Sequence, residues 1–244
     1  MLKKVLTLVV LLLLVGYVAF SVVAFCKGPE GQVCEGVLLE MQDSTEVGYM
    51  TTDDIVALLK KDNLDPTGRL LEEVSLTDIE KGLEQSPLIR NCECYKTLNG
   101  KVMVSVECRR PILRVISNAG ESYFLDEEGG VIEYIAKAVY LPVATGYITR
   151  EYAQNELLAL AQFLQESELW NAQVEQICVT QNGEIELVPR VGNHVIVLGC
   201  PGDYATKFEK LQVFYEKGLS ELGWDRYSRI NVGYDGQVVA TKRK

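Results

Sequence analysis

The stretch Leu88-Ile89-Arg90-Asn91-Cys92-Glu93-Cys94-Tyr95-Lys96-Thr97-Leu98-Asn99-Gly100-Lys101-Val102-Met103-Val104-Ser105-Val106-Glu107-Cys108-Arg109 reads as two strands around Asn99-Gly100, a strong short-range hairpin signal. A two-residue loop would pair Leu98 with Lys101 and place Val102, Val104 and Val106 on the face of Thr97, Tyr95 and Glu93. The apolar sets of the two strands would then lie on opposite sides, which a buried face does not tolerate. A three-residue loop, with Gly100 in the left-handed conformation, pairs Thr97 with Lys101, Cys94 with Val104 and Cys92 with Val106. In that register Cys92, Cys94 and Cys108 share a core face with the valines, where a free cysteine serves as a small hydrophobe.

Working upstream, Ser75 or Thr77 caps a helix carrying Leu76, Ile79 and Leu83 at helical spacing, and Ser86-Pro87 ends it. Before it, Asp65-Pro66-Thr67-Gly68 is a turn. An earlier helix begins at Thr51 or Thr52, with Asp53 and Asp54 at the positive end of its dipole and Ile55, Val56, Leu58 and Leu59 as its stripe. Gln32 to Met41 reads as a first strand. The unit is therefore strand, helix, helix, strand, strand.

Downstream, Arg109-Arg110-Pro111 marks a change of pattern. The pair of cations and the rigid residue either fix an interdomain angle or solvate a strand end. Ile112 to Ile116, Tyr123 to Asp126 and Val131 to Tyr134 read as strands separated by Gly-containing turns. Thr149 to Glu168 forms a long helix through Leu157, Leu158, Leu160, Ala161 and Leu164. Strands are expected at Val174 to Thr180, Glu184 to Pro189 and Val195 to Leu198, with Pro189 near a strand end. Tyr204 to Leu219 is a further helix. A last hairpin runs from Ser228 to Tyr234, turns at Asp235-Gly236 and returns through Gln237 to Thr241. The second half is thus a mainly antiparallel sheet with two helices, and the fold class is α+β.

At the amino end, Met1 to Lys4 carries two lysines, and Val5 to Phe25 holds no charge. A bilayer crossing needs roughly 20 apolar residues, more than the apolar core of a cleaved signal peptide. Cys26 suggests lipoprotein processing, but Phe25 is too bulky for that cleavage site. Lys3 and Lys4 hold the terminus in the cytoplasm and send the remainder across. The expected organisation is a cytoplasmic tail (1–4), a transmembrane helix (5–26), a small α/β domain (27–110) and a β domain (111–244). Of 24 basic residues, Lys3 and Lys4 precede the anchor and 22 follow it, against 34 acidic residues, all of which follow it. The exported part carries a formal charge of −12, which disfavours nucleic acid as a partner.

Chemistry-bearing patterns are sparse. The seven cysteines are odd in number and scattered, without a Cys-x-x-Cys, and with His194 the sole histidine a Cys/His zinc cage is disfavoured. The chain lacks a glycine-rich phosphate cradle and a Gly-x-Ser-x-Gly elbow. His194 opens an apolar strand as a structural residue rather than a general base. Asp53-Asp54, Glu72-Glu73 and Glu127-Glu128 sit at helix starts or turns as solvated charge, and Trp170 and Trp224 anchor the core. Neither a cofactor nor a small-molecule substrate is expected.

Arg109-Arg110-Pro111-Ile112, Tyr123-Phe124-Leu125-Asp126 with Gly129, Trp170-Asn171-Ala172-Gln173-Val174-Glu175-Gln176-Ile177, Pro189-Arg190-Val191-Gly192-Asn193-His194 and Ile230-Asn231-Val232 together resemble the FtsQ family of bacterial cell-division proteins, in the form found in Bacteroidetes. The resemblance covers essentially the whole chain. It implies a single-pass inner-membrane protein with a POTRA domain and a periplasmic β domain, without catalytic activity. It also implies a divisome scaffold binding FtsB- and FtsL-like proteins and linked indirectly to the septal peptidoglycan synthase. The family's contact with FtsB adds a strand to a sheet edge in the last strands. Here that segment is Tyr227 to Thr241, with Tyr227, Ile230, Val232, Tyr234, Val238 and Ala240 as the matching positions. Ile230, Val232 and Tyr234 equally suit a plain core. The cytoplasmic tail is much shorter than in the proteobacterial members.

Two other classes fit parts of the pattern. A POTRA-bearing transport component is expected to continue into barrel strands of about 10 residues, and the second half shows no such series. A membrane-anchored thiol or cell-wall enzyme would use Cys92, Cys94, Cys108 or an acidic pair, and requires exposed thiols of lowered pKa.

Overall fold

The computed structural model describes residues 11–21, 31–42, 49–135 and 138–244. Residues 11–21 are helical (α1) and lie inside the expected 5–26 span, whose two ends are outside the described residues. Among the described residues, no helix is long and apolar enough to cross a membrane. The remainder divides into two compact units, one built from residues up to Glu107 and one from Cys108 to Lys244, with Tyr49 and Met50 grouped in the second.

In the first unit, β1 (Gly36–Met41), α2 (Thr52–Lys61), α3 (Leu76–Leu83), β2 (Ile89–Lys96) and β3 (Lys101–Cys108) follow in that order. The sheet order is β1-β3-β2, with β1 parallel to β3. Thr51 starts α2 through a reciprocal capping box. Its Oγ1 accepts from the Asp54 N–H and its own N–H donates to the Asp54 carboxylate, which satisfies two otherwise orphaned donors. Ser75 caps α3 by accepting from the Asp78 N–H. The hairpin loop has three residues: the Thr97 N–H donates to the Lys101 carbonyl at 2.8 Å and the Lys101 N–H returns to Thr97 Oγ1 at 3.1 Å. Gly100 holds φ +74°, the left-handed conformation the loop requires. Ile55, Leu59, Ile79, Leu83, Val102, Val104 and Val106 make the core. Cys92 joins it, whereas Cys94 and Cys108 are only half-buried. The shared core face therefore holds fully for Cys92 alone.

The second unit is a nine-stranded sheet. Its strands are β4 (Pro111–Ser117), β5 (Ser122–Asp126), β6 (Val131–Ile132), β7 (Val143–Gly146), β8 (Val174–Val179), β9 (Ile185–Pro189), β10 (Val195–Gly199), β11 (Tyr227–Asn231) and β12 (Val239–Lys242). In space they run β12-β11-β10-β9-β8-β7-β4-β5-β6. The sheet is mixed: β4–β7, β7–β8 and β10–β11 are parallel and the other neighbours antiparallel. Strand β7 is absent from the sequence reading, and β6 is shorter than expected.

The long helix of this unit begins at α4 (Arg150–Tyr152), capped by Thr149, passes through a π-helical stretch Ala153–Leu157 and continues as α5 (Leu158–Glu166). After α6 (Glu168–Gln173), the second long helix comprises α7 (Tyr204–Phe214), a π-helical stretch Tyr215–Leu219 and α8 (Ser220–Leu222). Leu157, Leu160, Leu164, Trp170, Phe208, Leu211, Tyr215 and Leu219 pack against Val115, Leu125, Ala144, Ile177, Leu187, Ile196 and Ile230 in one core. The alternation of each strand places these sheet residues on one face. Arg114, Ile116, Thr145, Gln176, Cys178, Glu186 and Arg229 occupy the other and are half-buried or exposed.

Asp126 is 1% exposed. One carboxylate oxygen accepts from the Glu128 N–H at 3.0 Å and the Gly130 N–H at 2.6 Å, and the other takes the Arg109 guanidinium at 3.0 Å. This explains Arg109 and the Tyr123-Phe124-Leu125-Asp126 motif, because the carboxylate satisfies the backbone of the β5–β6 turn. Arg110 makes a solvent-facing pair with Glu127 at 3.7 Å, and Pro111 opens β4. His194, 2% exposed, shares a hydrogen bond of 2.8 Å between Nε2 and the Tyr215 hydroxyl. Among the described residues its Nδ1 has no hydrogen-bond partner. Burial, with Arg243 adding to it, holds the imidazole pKa below its ordinary value.

Two outcomes are expected from these contacts. Asp126→Ala, which strands two backbone donors and Arg109, lowers unfolding free energy by about 2–4 kcal/mol, whereas Asp126→Asn costs about half that because one oxygen still accepts. Chemical denaturation of the two variants measures the difference. A depressed histidine pKa means that the unfolded chain binds the proton first, so stability is complete above about pH 6.5 and falls as the pH drops through the folded value. His194→Gln is expected to flatten that acid loss, read as the Tm difference between pH 7.5 and pH 5.

Candidate partner-binding edge

The C-terminal segment is positioned by two backbone pairings. β11 runs parallel to β10 with Val195 opposite Arg229, Ile196 opposite Ile230 and Val197 opposite Asn231. β12 returns antiparallel, with Ile230 opposite Ala240 and Asn231 opposite Val239. Between them, the Asn231 side chain accepts from the Gly233 N–H at 2.9 Å, and Lys210 of α7 donates to the carbonyls of Val232 and Tyr234, each at 2.7 Å. A lysine thus fixes the start of the connection whose Asp235-Gly236 turn was legible in the sequence.

β12 lies at the end of the nine-stranded sheet, and no described strand pairs with its outer side. Such an edge presents main-chain donors and acceptors to an incoming strand. Its residues are half-buried or exposed, with Val239 at 45%. Beyond it the Arg243 N–H donates to the Arg226 carbonyl at 2.9 Å, and the Arg243 guanidinium donates to the Asn193 carbonyl. This ties the tail to the β9–β10 loop. A side chain at Gly192, which holds φ +98°, would meet the His194 ring at 2.7 Å, so the Pro189-Arg190-Val191-Gly192-Asn193-His194 segment needs its glycine for a loop lying over an aromatic cluster. Tyr215 stacks edge-on with Trp224 at 5.0 Å, and Trp170 with Phe208 at 4.9 Å.

The structure redistributes the six expected contact residues. Ile230 and Val232 are fully buried core residues, so as specificity-setting side chains they are corrected: β11 is flanked by β10 and β12, and its inward side chains meet the helices. Tyr227 packs on Phe214 at 5.6 Å, and Val238 packs against the core. Tyr234 is 53% exposed, and Ala240 is half-buried in the edge strand itself. The sequence reading missed Val239, the exposed neighbour of half-buried Val238, and Lys210. Alternation along Val238-Val239 carries the signal for the first. Nothing local carries the second, since its targets lie more than 20 residues away.

The chemical alternatives find little geometry. Among the described residues no group of three or more His, Cys, Asp or Glu side chains is placed to hold a metal ion. The contact between the two sulfurs, ahead of burial, lowers the thiol pKa of Cys92 and raises that of Cys94, so the thiol favoured as a thiolate is the one that is only 4% exposed, unlike the open thiol an enzyme presents to substrate. His194 faces Tyr215 and aromatic rings.

A family model described as FtsQ/DivIB, C-terminal related, matches residues 110–241. A second, described as POTRA-like domain, matches residues 32–107. No curated protein matches the chain significantly. Both families are generally non-enzymatic. A mixed sheet covered by helices, preceded by a POTRA-like unit and matched over more than half of its length, places this chain in the FtsQ/DivIB family of cell-division proteins.

Proposed function

We propose that this protein is a divisome scaffold that binds the exported parts of FtsB- and FtsL-like proteins and couples septum assembly to peptidoglycan synthesis without catalysing a reaction. The observation that carries this reading is the open outer edge of β12, where an incoming strand gains main-chain hydrogen bonds and meets Val239 and Tyr234. The uncharged run from Val5 to Phe25, with α1 inside it, is the membrane anchor. The terminus bearing Lys3 and Lys4 faces the cytoplasm. The domain boundaries of this reading fall after residue 26 and after Arg110.

The test is binding of the detergent-solubilised full chain to the exported part of its own FtsB-like protein. Val239→Asp and Tyr234→Asp change exposed side chains and are expected to weaken binding at least roughly tenfold, about 1.4 kcal/mol, with Tm preserved. Val232→Asp buries an unpaired charge and is expected to unfold the second unit. Wild-type affinity in both exposed-site variants would remove β12 as the docking edge.

A further inference from the structure

We propose that Cys92 and Cys94 form a reversible dithiol–disulfide couple that exchanges with low-molecular-weight disulfides. The two side chains project from the same face of β2 because they are two residues apart on a strand, and their sulfurs lie 3.9 Å from each other in hydrogen-bonding contact. β2 is an outer strand of its sheet and pairs with a described strand on one side only. The unit's remaining described thiol in its core, Cys34, is engaged elsewhere, with its sulfur donating to the Gly36 carbonyl at 3.4 Å. Cys94 is half-buried and reachable by a small reagent, whereas Cys92 is buried behind it.

The exchange balances in two steps. The pair loses one proton to give a thiolate held by the neighbouring S–H, and this thiolate attacks RS–SR, forming a mixed disulfide and expelling RS⁻. The second cysteine, deprotonated, attacks the protein sulfur of the mixed disulfide and expels the second RS⁻. Two electrons pass from the cysteines to the reagent, and one disulfide becomes two thiols. Residues two apart on a strand have Cα atoms about 6.6 Å apart, at the upper end of the range a disulfide spans. The closed form is therefore within reach of the strand geometry. Glu80 sits over the pair and regulates it. Its Oε1 accepts from the Cys94 N–H at 2.8 Å, and its negative charge opposes thiolate formation at both cysteines.

The test treats the native full-length protein with glutathione disulfide, blocks remaining thiols with N-ethylmaleimide and digests with trypsin. Cleavage after Arg90 and Lys96 releases Asn91–Lys96, which contains Cys92 and Cys94 and no other cysteine. The expected peptide is lighter by two hydrogens (about 2 Da), takes no maleimide and regains both thiols in dithiothreitol. Two maleimides on that peptide, or a stable glutathione adduct in place of the internal bond, overturn the couple. Glu80→Gln keeps an acceptor for the Cys94 N–H and removes the charge, so ring closure is expected to quicken roughly two- to fivefold. An unchanged or slower rate would overturn the thiolate pathway.

Discussion

The second unit depends on a single constraint, that a nine-stranded sheet must bury one face along its whole width. Strand alternation supplies the face, with Val115, Leu125, Ala144, Ile177, Leu187, Ile196 and Ile230 contributing one row after another. The two long helices supply the cover. At about 25 cal/mol per Å² of apolar surface removed from water, this layer outweighs the surface ion pairs, such as Arg150 with Glu121 and Glu133, whose worth in solvent is small. Aromatic residues reinforce it where the helices meet the C-terminal strands: Phe163, Phe208, Trp170, Tyr215 and Trp224 form a continuous chain of ring contacts.

The same constraint separates structure from recognition in the last hairpin. Side chains that look inward on β11 belong to the core, and what remains exposed is the backbone edge and the outward positions of β12. Lys210 and Arg243 then act as positioning groups. Each ties the hairpin's flanks to the unit through carbonyl oxygens.

Much of this architecture was legible locally. The caps at Thr51 and Ser75, each one of two candidates, the three-residue loop at Leu98-Asn99-Gly100 and the long helices follow from residue type and spacing, because each is decided by neighbours in sequence. Strand β7 was not, because Val143-Ala144-Thr145-Gly146 is four residues long and is stabilised by two parallel neighbours, β4 and β8, one of them about 30 residues ahead in the chain. The parallel pairing of β11 with β10 was hidden for the same reason. The location of the free edge follows from the full strand order, a global property, so alternation alone left Ile230 and Val232 open between core and contact.

The strand order also records a direction of growth. Counting from β7, which inserts beside β4, each later strand is laid on the outside of the one before it, through β8, β9, β10, β11 and β12. During synthesis each new strand finds a finished template rather than waiting for a distant partner, and the sheet lengthens with the emerging chain. A strand donated by another protein to β12 would be the tenth of the sheet and would extend that series by one more step of the same kind, so such docking would repeat the folding reaction with its template supplied by one gene and its final strand by another.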